Sequence, residues 1–499
     1  MENIPFQLEL RPEISAIPNI YGASDYQEFR EILIKMDHML QNSHLERRLL
    51  DQELTQWLAD AEREITSSTG KQLAFQYKVL RYALRCNIAR HLTGESFRKF
   101  SIRLADSNLF QWFTGISGFE HRKAASKSAL ERYDKRFDTV MVDKEIKDWL
   151  VTLSDPKTAE SMGLAEPLSF SSTFMDSTCV KANIHFPVDW VLLRDATRSL
   201  LSAIKTIRKQ GLKHRIIEPA VLMRHMNQWC IEMTHVRRRK DSKQKRKAIL
   251  RQMKTLSHCI EKHARRYKAM LQNRWSETDW TEVQTQQVIC RIDNILNQLP
   301  AAIKQAHERM IGERPIKNSD KILSLYEPDI HVLVRGKAGN EVEFGQGLLL
   351  CEQANGVIVD WKLFKEQPPS DSRLLQETVI RLEKQYGAID SVCTDRGFHS
   401  QQNEAFLKEH HIYNALCPRN PKQLQVRLKE PKFLALQTRR GQTEARIGVF
   451  KNAFLGRPLR SKGFLHKQLS VTWCVLTHNL WVIARKALAD ERAALEKVA

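Results

Sequence analysis

Two apolar, strand-like segments, each leading into an aspartate, are separated by 219 positions of mostly helical sequence, and that spacing constrains the fold more than any other feature of the chain. The first is SFSSTFMDSTCVKANI, with Asp176 in or at the end of a strand; the second is IDSVCTD, a buried strand that delivers Asp395. Sheet-like sequence does not resume after the first until DIHVLVRG at Asp329, and residues 190–312 read as several long helices. A strand followed by helices alone, with its sheet partners far downstream, implies a helical insertion after the first core strand. Only 49 positions separate Asp395 from Glu444, so no insertion is expected there.

The remaining elements follow from periodicity and turn chemistry. FGQGLLLCEQANG and VIVDWKLFKE predict a hairpin around Asn355 and Gly356, a turn pair flanked by β-branched residues. RLLQETVIRLEKQYG predicts a helix that stops at Gly387, and helix then strand repeats in NEAFLKEHH and IYNALCP. The segment 418–440 is rich in Lys, Arg and Pro and reads as a loop, with Lys422, Arg427, Lys429, Lys432, Arg439 and Arg440 open to a polyanion. From Leu469 an apolar helix is expected to pack on the sheet. The first region is helical throughout: Phe29, Ile32, Leu33, Met36 and Leu40 recur at helical spacing, as do Leu73, Tyr77, Leu80 and Leu84. Shorter helical units follow, with a layout compatible with helix-turn-helix packing. Pro and Gly break the pattern between Ser154 and Glu166. The expected fold is α+β and multi-domain: an all-α region over 1–160, an α/β core over 165–189 and 313–490, and a basic helical insertion over 190–312.

Three carboxylates carry the chemistry. Asp176 and Asp395 end or interrupt strands and Glu444 sits on a helix, and carboxylates so placed can hold two hard divalent ions about 4 Å apart around a phosphate. Arg440, Glu444 and Lys451 fall at offsets of four and eleven, within about 40° of one another on an α-helix. That stripe sets cations beside the carboxylate for phosphate contact. The plainer readings are a turn or cap role for each Asp and a solvated i, i+4 Arg/Glu pair worth about 0.3–0.5 kcal/mol.

The sequence Arg440, three residues, Glu444, six residues, Lys451 resembles the signature around the catalytic glutamate of bacterial insertion-sequence DDE transposases. MDSTCVKANIHFP resembles their first-aspartate segment, TDRGFHS the second, and KAGNEVEFGQGLLLCEQANGVIVDWKLF their central strands. The tyrosine that often stands three positions before the arginine is Gln437 here. The resemblance spans most of 165–485. It implies an RNase H-like catalytic core with Asp176, Asp395 and Glu444 as catalytic residues and ligands of two Mg²⁺ or Mn²⁺ ions. It also implies Arg440 and Lys451 as phosphate contacts, and an N-terminal helical module that reads the element's terminal inverted repeats through Lys123, Lys127 and Arg132. A homodimer paired on transposon ends, acting on those ends and on target DNA in the cytoplasm of a bacterium near its nucleoid, is the family's implication.

Charge agrees with a nucleic-acid partner: 79 Lys and Arg against 58 Asp and Glu give a net charge of +21. It is concentrated in the insertion, where residues 237–268 hold fourteen Lys or Arg against two acids. Ile249, Met253, Leu256, Ile260, Ala264, Tyr267 and Leu271 draw one apolar stripe through that stretch, so the helix is expected to pack on one side. On the other it presents Arg237, Arg238, Arg239, Lys240, Lys245, Arg246 and Lys247 to the DNA backbone. The plainer reading is again a solvated charged face. Nine cysteines without a CxxC pair suit a reduced compartment, and neither an export signal nor a membrane span is expected. No Walker-type phosphate loop is present, so no ATP requirement is expected. Two rival functions remain: an RNase H-like nuclease that cuts without joining, and a non-catalytic DNA-binding regulator or inactive relic.

Overall fold

The structure is a computed structural model that describes residues 20, 22–60, 67–116, 123–236, 241–337, 340–456 and 458–498. Arg237, Arg238, Arg239 and Lys240 lie outside the described residues. The chain divides into two compact units, one of residues 1–181, 347–364 and 368–499, the other of residues 182–346 and 365–367.

The first unit begins with eight helices: α1 (Ser24–Asn42), α2 (Leu45–Asp60), α3 (Ser67–Thr93), α4 (Phe97–Asp106), α5 (Asn108–Thr114), α6 (Lys127–Asp134), α7 (Thr139–Thr152) and α8 (Pro156–Ser161). Their starts are set by side chains that accept from the free backbone N–H groups of the first turn: Ser96, Ser107, Ser126, Asp138 and Asp155 each cap the helix that follows. Strand β1 (Ser172–Lys181) follows.

The second unit holds four long helices, α9 (Asp189–Lys209), α10 (Pro219–Val236), α11 (Ser242–Arg274) and α12 (Glu282–Met310), with β2 (His331–Lys337) and the first half of β3 (Asn340–Gln353). β2 and β3 pair antiparallel, His331 opposite Gly345. All seven apolar positions anticipated on α11 are buried, and they face α9, α10 and α12 in a core of their own. The long basic helix therefore owes its stability to one apolar stripe, since propensity alone holds isolated helices only marginally.

Back in the first unit come the second half of β3, β4 (Ile358–Leu363), α13 (Asp371–Tyr386), β5 (Ser391–Thr394), α14 (Gln401–Glu409), β6 (Tyr413–Leu416), α15 (Pro421–Arg427), α16 (Pro431–Val449) and α17 (Phe464–Val498). The sheet order here is β4-β3-β1-β5-β6; β3 and β4 are antiparallel, while β1, β5 and β6 run parallel. The Asn355–Gly356 turn joins β3 to β4, with Gly356 in the left-handed region at φ 87°. One continuous apolar cluster runs from Leu33 and Met36 on α1 through Trp149 on α7 to Leu348 and Leu350 on β3 and Trp473, Leu476 and Ile483 on α17. The amino-terminal helices thus share the core of the sheet.

Segment 418–440, expected as a loop, is instead α15 and the first half of α16. Both begin with proline at the first helical positions, where its missing N–H and fixed φ suit a helix start, and Asn420 caps α15.

Asp143 on α7 gives a pH test of this core. Burial pushes its carboxyl up to about 6, against hydrogen bonds from Thr472 and Trp361 and the nearby Lys147 that pull it down. A raised acid pKa means that the folded state holds the proton more tightly, so the group's contribution is most favourable below pH 4 and is lost as pH rises to 6. Asp143→Asn keeps an acceptor for the Thr472 hydroxyl, which lies 2.6 Å away. It should raise stability at pH 7.5 by about 2–3 kcal/mol and leave it little changed at pH 4. Urea midpoints at the two pH values decide this, and equal shifts at both would refute it.

Candidate active site

Parallel pairing of β1 with β5 sets Met175 opposite Thr394, so the residues that follow, Asp176 in β1 and Asp395 just past the end of β5, come next to each other. Alternation along β1 puts Asp176 on the same face as Phe174, and Asp395, directly after β5, lies near enough to Arg440 of the overlying helix (Pro431–Val449) to act on its charge. Phe174, Cys393, Ala415 and Phe433 form a small apolar core under α16, so both aspartates look toward that helix. Each is partly exposed. Asp176 Oδ1 accepts from Ser177 N at 2.7 Å and Asp395 Oδ1 from Gly397 N at 2.9 Å.

The helix α16 crosses β1, β5 and β6 and carries Glu444. Glu444 is 60% exposed and accepts from Arg440 Nη1 at 3.0 Å. Burial lowers the affinity of the Arg440 guanidinium for its proton, but Glu444, Cys393 and Asp395 outweigh it and raise its pKa. Arg440 therefore sits in the field of both Glu444 and Asp395. Lys451 falls in a π-turn, Phe450–Phe454, that follows α16. Lys451 donates to Thr178 Oγ1 at 2.9 Å, one pleat beyond Asp176 on the same face of β1. Among the described residues no three His, Cys, Asp or Glu side chains converge as a metal-binding group.

A buried clamp that sequence reasoning missed fixes α16 to the sheet. Glu352 on β3 is almost wholly buried and accepts from Arg439 Nη2 at 2.9 Å and Thr443 Oγ1 at 2.6 Å, with Arg446 Nη1 at 3.9 Å. Arg439 also donates to the Ala354 and Gln353 carbonyls and lies 4.6 Å from the Phe174 ring centroid. Its guanidinium is thus engaged with the sheet and only 14% exposed. Gln437, where the family often has tyrosine, donates to the carbonyls of Thr394 and Ala415 and so ties α16 to β5 and β6. The signal for this clamp was an acid at the end of a strand otherwise apolar, read only as part of a hairpin.

Gly356 meets the same clamp, because a Cβ there would overlap the Arg446 guanidinium. Gly356→Ala should therefore cost about 1–3 kcal/mol, from the left-handed φ and the displaced arginine, measured as a drop in urea midpoint. An unchanged midpoint would show that Arg446 is held elsewhere. Asp371, at the start of α13, was also missed: its Oδ2 lies 2.7 Å and Asp395 Oδ1 3.0 Å from the position of a Cβ at Gly397. A side chain at Gly397 would therefore push the two carboxylates aside.

Of the other cations singled out, Lys123 and Arg132 are exposed and Lys127 pairs with Glu131 at 3.0 Å. On α11, Lys245 pairs with Asp241, Lys247 with Glu313, and Arg246 lies over the Trp190 ring. The first group belongs to the first unit and the second to the other unit. All nine cysteines are free thiols, and among the described residues no helix is long and apolar enough to cross a membrane.

Residues 336–480 match the family described as Transposase DDE domain, which supports the kinship with insertion-sequence DDE transposases. The matched stretch holds Asp395, Arg440, Glu444 and Lys451; Asp176 and the four long helices of the second unit lie before it. No curated protein and no solved structure gives a significant match.

Proposed function

From a chain that carries a transposase DDE domain over residues 336–480, we propose a DDE transposase that cleaves the ends of an insertion sequence and transfers them to target DNA with the help of divalent metal ions. The observation that carries the proposal is the β1–β5 register, which sets Asp176 beside Asp395 under the helix that bears Glu444. The sheet order β4-β3-β1-β5-β6, with α16 laid across the parallel strands, supports the RNase H-like reading of the core.

The donor set suits Mg²⁺ or Mn²⁺, since Asp176 and Asp395 offer only carboxylate oxygens at neighbouring positions. Glu444 joins them once it releases Arg440, an exposed i, i+4 pair worth only about 0.3–0.5 kcal/mol. When bound, two such ions activate the attacking water or 3′-hydroxyl and stabilise the leaving oxygen of an in-line displacement. The chain's own part is orientation and charge. Arg440, freed from Glu444, contributes a fork of donors for a phosphate beside Asp395, and Lys451, held over Thr178, adds a second cation on the side of Asp176. The clamp of Glu352, Arg439 and Thr443 keeps α16 in register with the strand ends, so that all these groups face one substrate position.

The substrate in this reading is double-stranded DNA, the terminal inverted repeats and the target, with two copies of the chain pairing the two ends, in the cytoplasm of a bacterium. The test is incubation of the purified protein with labelled DNA carrying the element's flanking ends, in Mg²⁺ or in EDTA. Metal-dependent nicking and a joined product are expected. Nicks without joining would point to a nuclease, and tight binding without cleavage in either condition to a regulator or a relic.

A further inference from the structure

The loop between α9 and α10 is held in place from two helices of the second unit. There Tyr267 of α11, fully buried, and Arg208 of α9 grip the backbone of His214: Tyr267 Oη donates to His214 O at 2.8 Å and accepts from His214 N at 3.1 Å, and Arg208 Nη1 donates to His214 O at 3.1 Å and to Tyr267 Oη at 3.0 Å. A loop pinned so tightly holds the His214 ring at one place. Arg266, one residue before Tyr267, meets the Nε2 of that ring, and the His263 ring lies 6.3 Å from it, centroid to centroid.

These three groups bear or can bear positive charge, and no carboxylate bonds to any of them among the described residues. Their neighbours differ. On the same helix Arg265 pairs with Glu261, Lys268 with Asp293, Lys247 with Glu313 and Arg274 with Glu277. Burial first, and after it the charges of His214 and Arg266, push the His263 pKa down. Arg266 is exposed and both rings are half-buried; because a guanidinium can only donate, His214 Nε2 accepts from Arg266, which leaves the Nδ1 side of that ring, the His263 ring and the other Arg266 donors to meet a ligand.

We propose that His214, His263 and Arg266 form a phosphate site of the second unit, occupied by the backbone of duplex DNA. The choice of DNA rests on the transposase reading. The chemistry is that of an oxyanion bridging a guanidinium and imidazoles on a rigid frame, contacts that fix position on DNA without reading its sequence.

The experiment is fluorescence anisotropy of the full chain with a labelled duplex in EDTA over a salt series. A His263→Gln/Arg266→Gln protein is compared with Arg265→Gln, which removes one positive charge from the next position on the helix. The double variant is expected to bind DNA of any sequence roughly tenfold more weakly, with a salt slope shallower by about one to two. Arg265→Gln should change affinity less than about twofold, because Glu261 already answers it. Should the double variant fail to fold, Arg266→Gln alone, at an exposed position, is expected to cost about threefold and one unit of slope. Affinity and slope equal to wild type, or an equal loss in Arg265→Gln, would overturn the site. An inorganic pyrophosphate arm separates the source of the phosphate: pyrophosphate binding that the double variant loses while DNA binding stays intact would overturn DNA as the occupant. Because the assay needs no metal, a wild type that binds through these residues yet never cleaves sinks the transposase reading alone. A wild type that cleaves and joins beside a double variant of normal affinity sinks this site alone.

Discussion

Asp395→Asn is expected to abolish strand cleavage and joining, by on the order of 10³-fold or more, which is about 4 kcal/mol of barrier. The substitution changes charge and almost nothing else. Asn keeps an oxygen for the Gly397 N–H, now 2.9 Å from Oδ1, and the strand before it is buried on both faces, so the fold and the β1–β5 register should hold. Asp176→Asn should behave alike, for the same reason at Ser177 N. DNA affinity in EDTA should stay within about twofold, since the net charge of +21 resides elsewhere. Labelled ends in Mg²⁺ give both readouts. Full strand transfer by either variant would end the assignment of these carboxylates, whatever the family of the domain.

Which parts of this site were legible depended on whether the cause was local. The strand that delivers Asp395 announced itself as an apolar run closed by turn residues, and Ser391 to Thr394 are indeed all buried. The α11 stripe was equally plain, because seven apolar residues at one spacing leave a helix little choice of face. Segment 418–440 misled because its lysines, arginines and prolines look like a loop by composition. The decisive facts are positional: Pro421 and Pro431 stand where a helix tolerates them best, and Asn420 precedes the first of them.

Two further features had no local signal. The π-turn at Phe450–Phe454 inserts its extra width without any breaker residue inside it, so the end of α16 could not be read from the sequence. Arg439 and Arg440 are identical neighbours in sequence, yet one is 14% exposed under Glu352 and the other faces Glu444. What separates them is a strand 87 positions upstream of Arg439, and no window along the helix contains it.

That strand residue supplies the second large effect. Glu352→Ala should destabilise the protein by about 3–5 kcal/mol, because it strands the Arg439 guanidinium, and the half-buried Arg446, beside the sheet without their carboxylate. Burial already pushes the Arg446 pKa down, with Glu352 the group that opposes it, so losing Glu352 removes its support. Urea unfolding at unchanged m-value measures the loss, and a cost under about 1 kcal/mol would mean that the clamp is ornamental. The pair is not expected to be a net source of stability, however, since buried ions surrender hydration that their attraction only partly returns. Glu352→Leu with Arg439→Met should therefore recover part of the lost stability, with Arg446 and Thr443 still lacking their acceptor. It should not recover strand transfer, because Leu and Met set no register, and α16 would then be free to shift Glu444 relative to Asp176 and Asp395 by the ångström that two-metal chemistry does not tolerate. A double variant both stable and fully active would show that packing alone positions the helix.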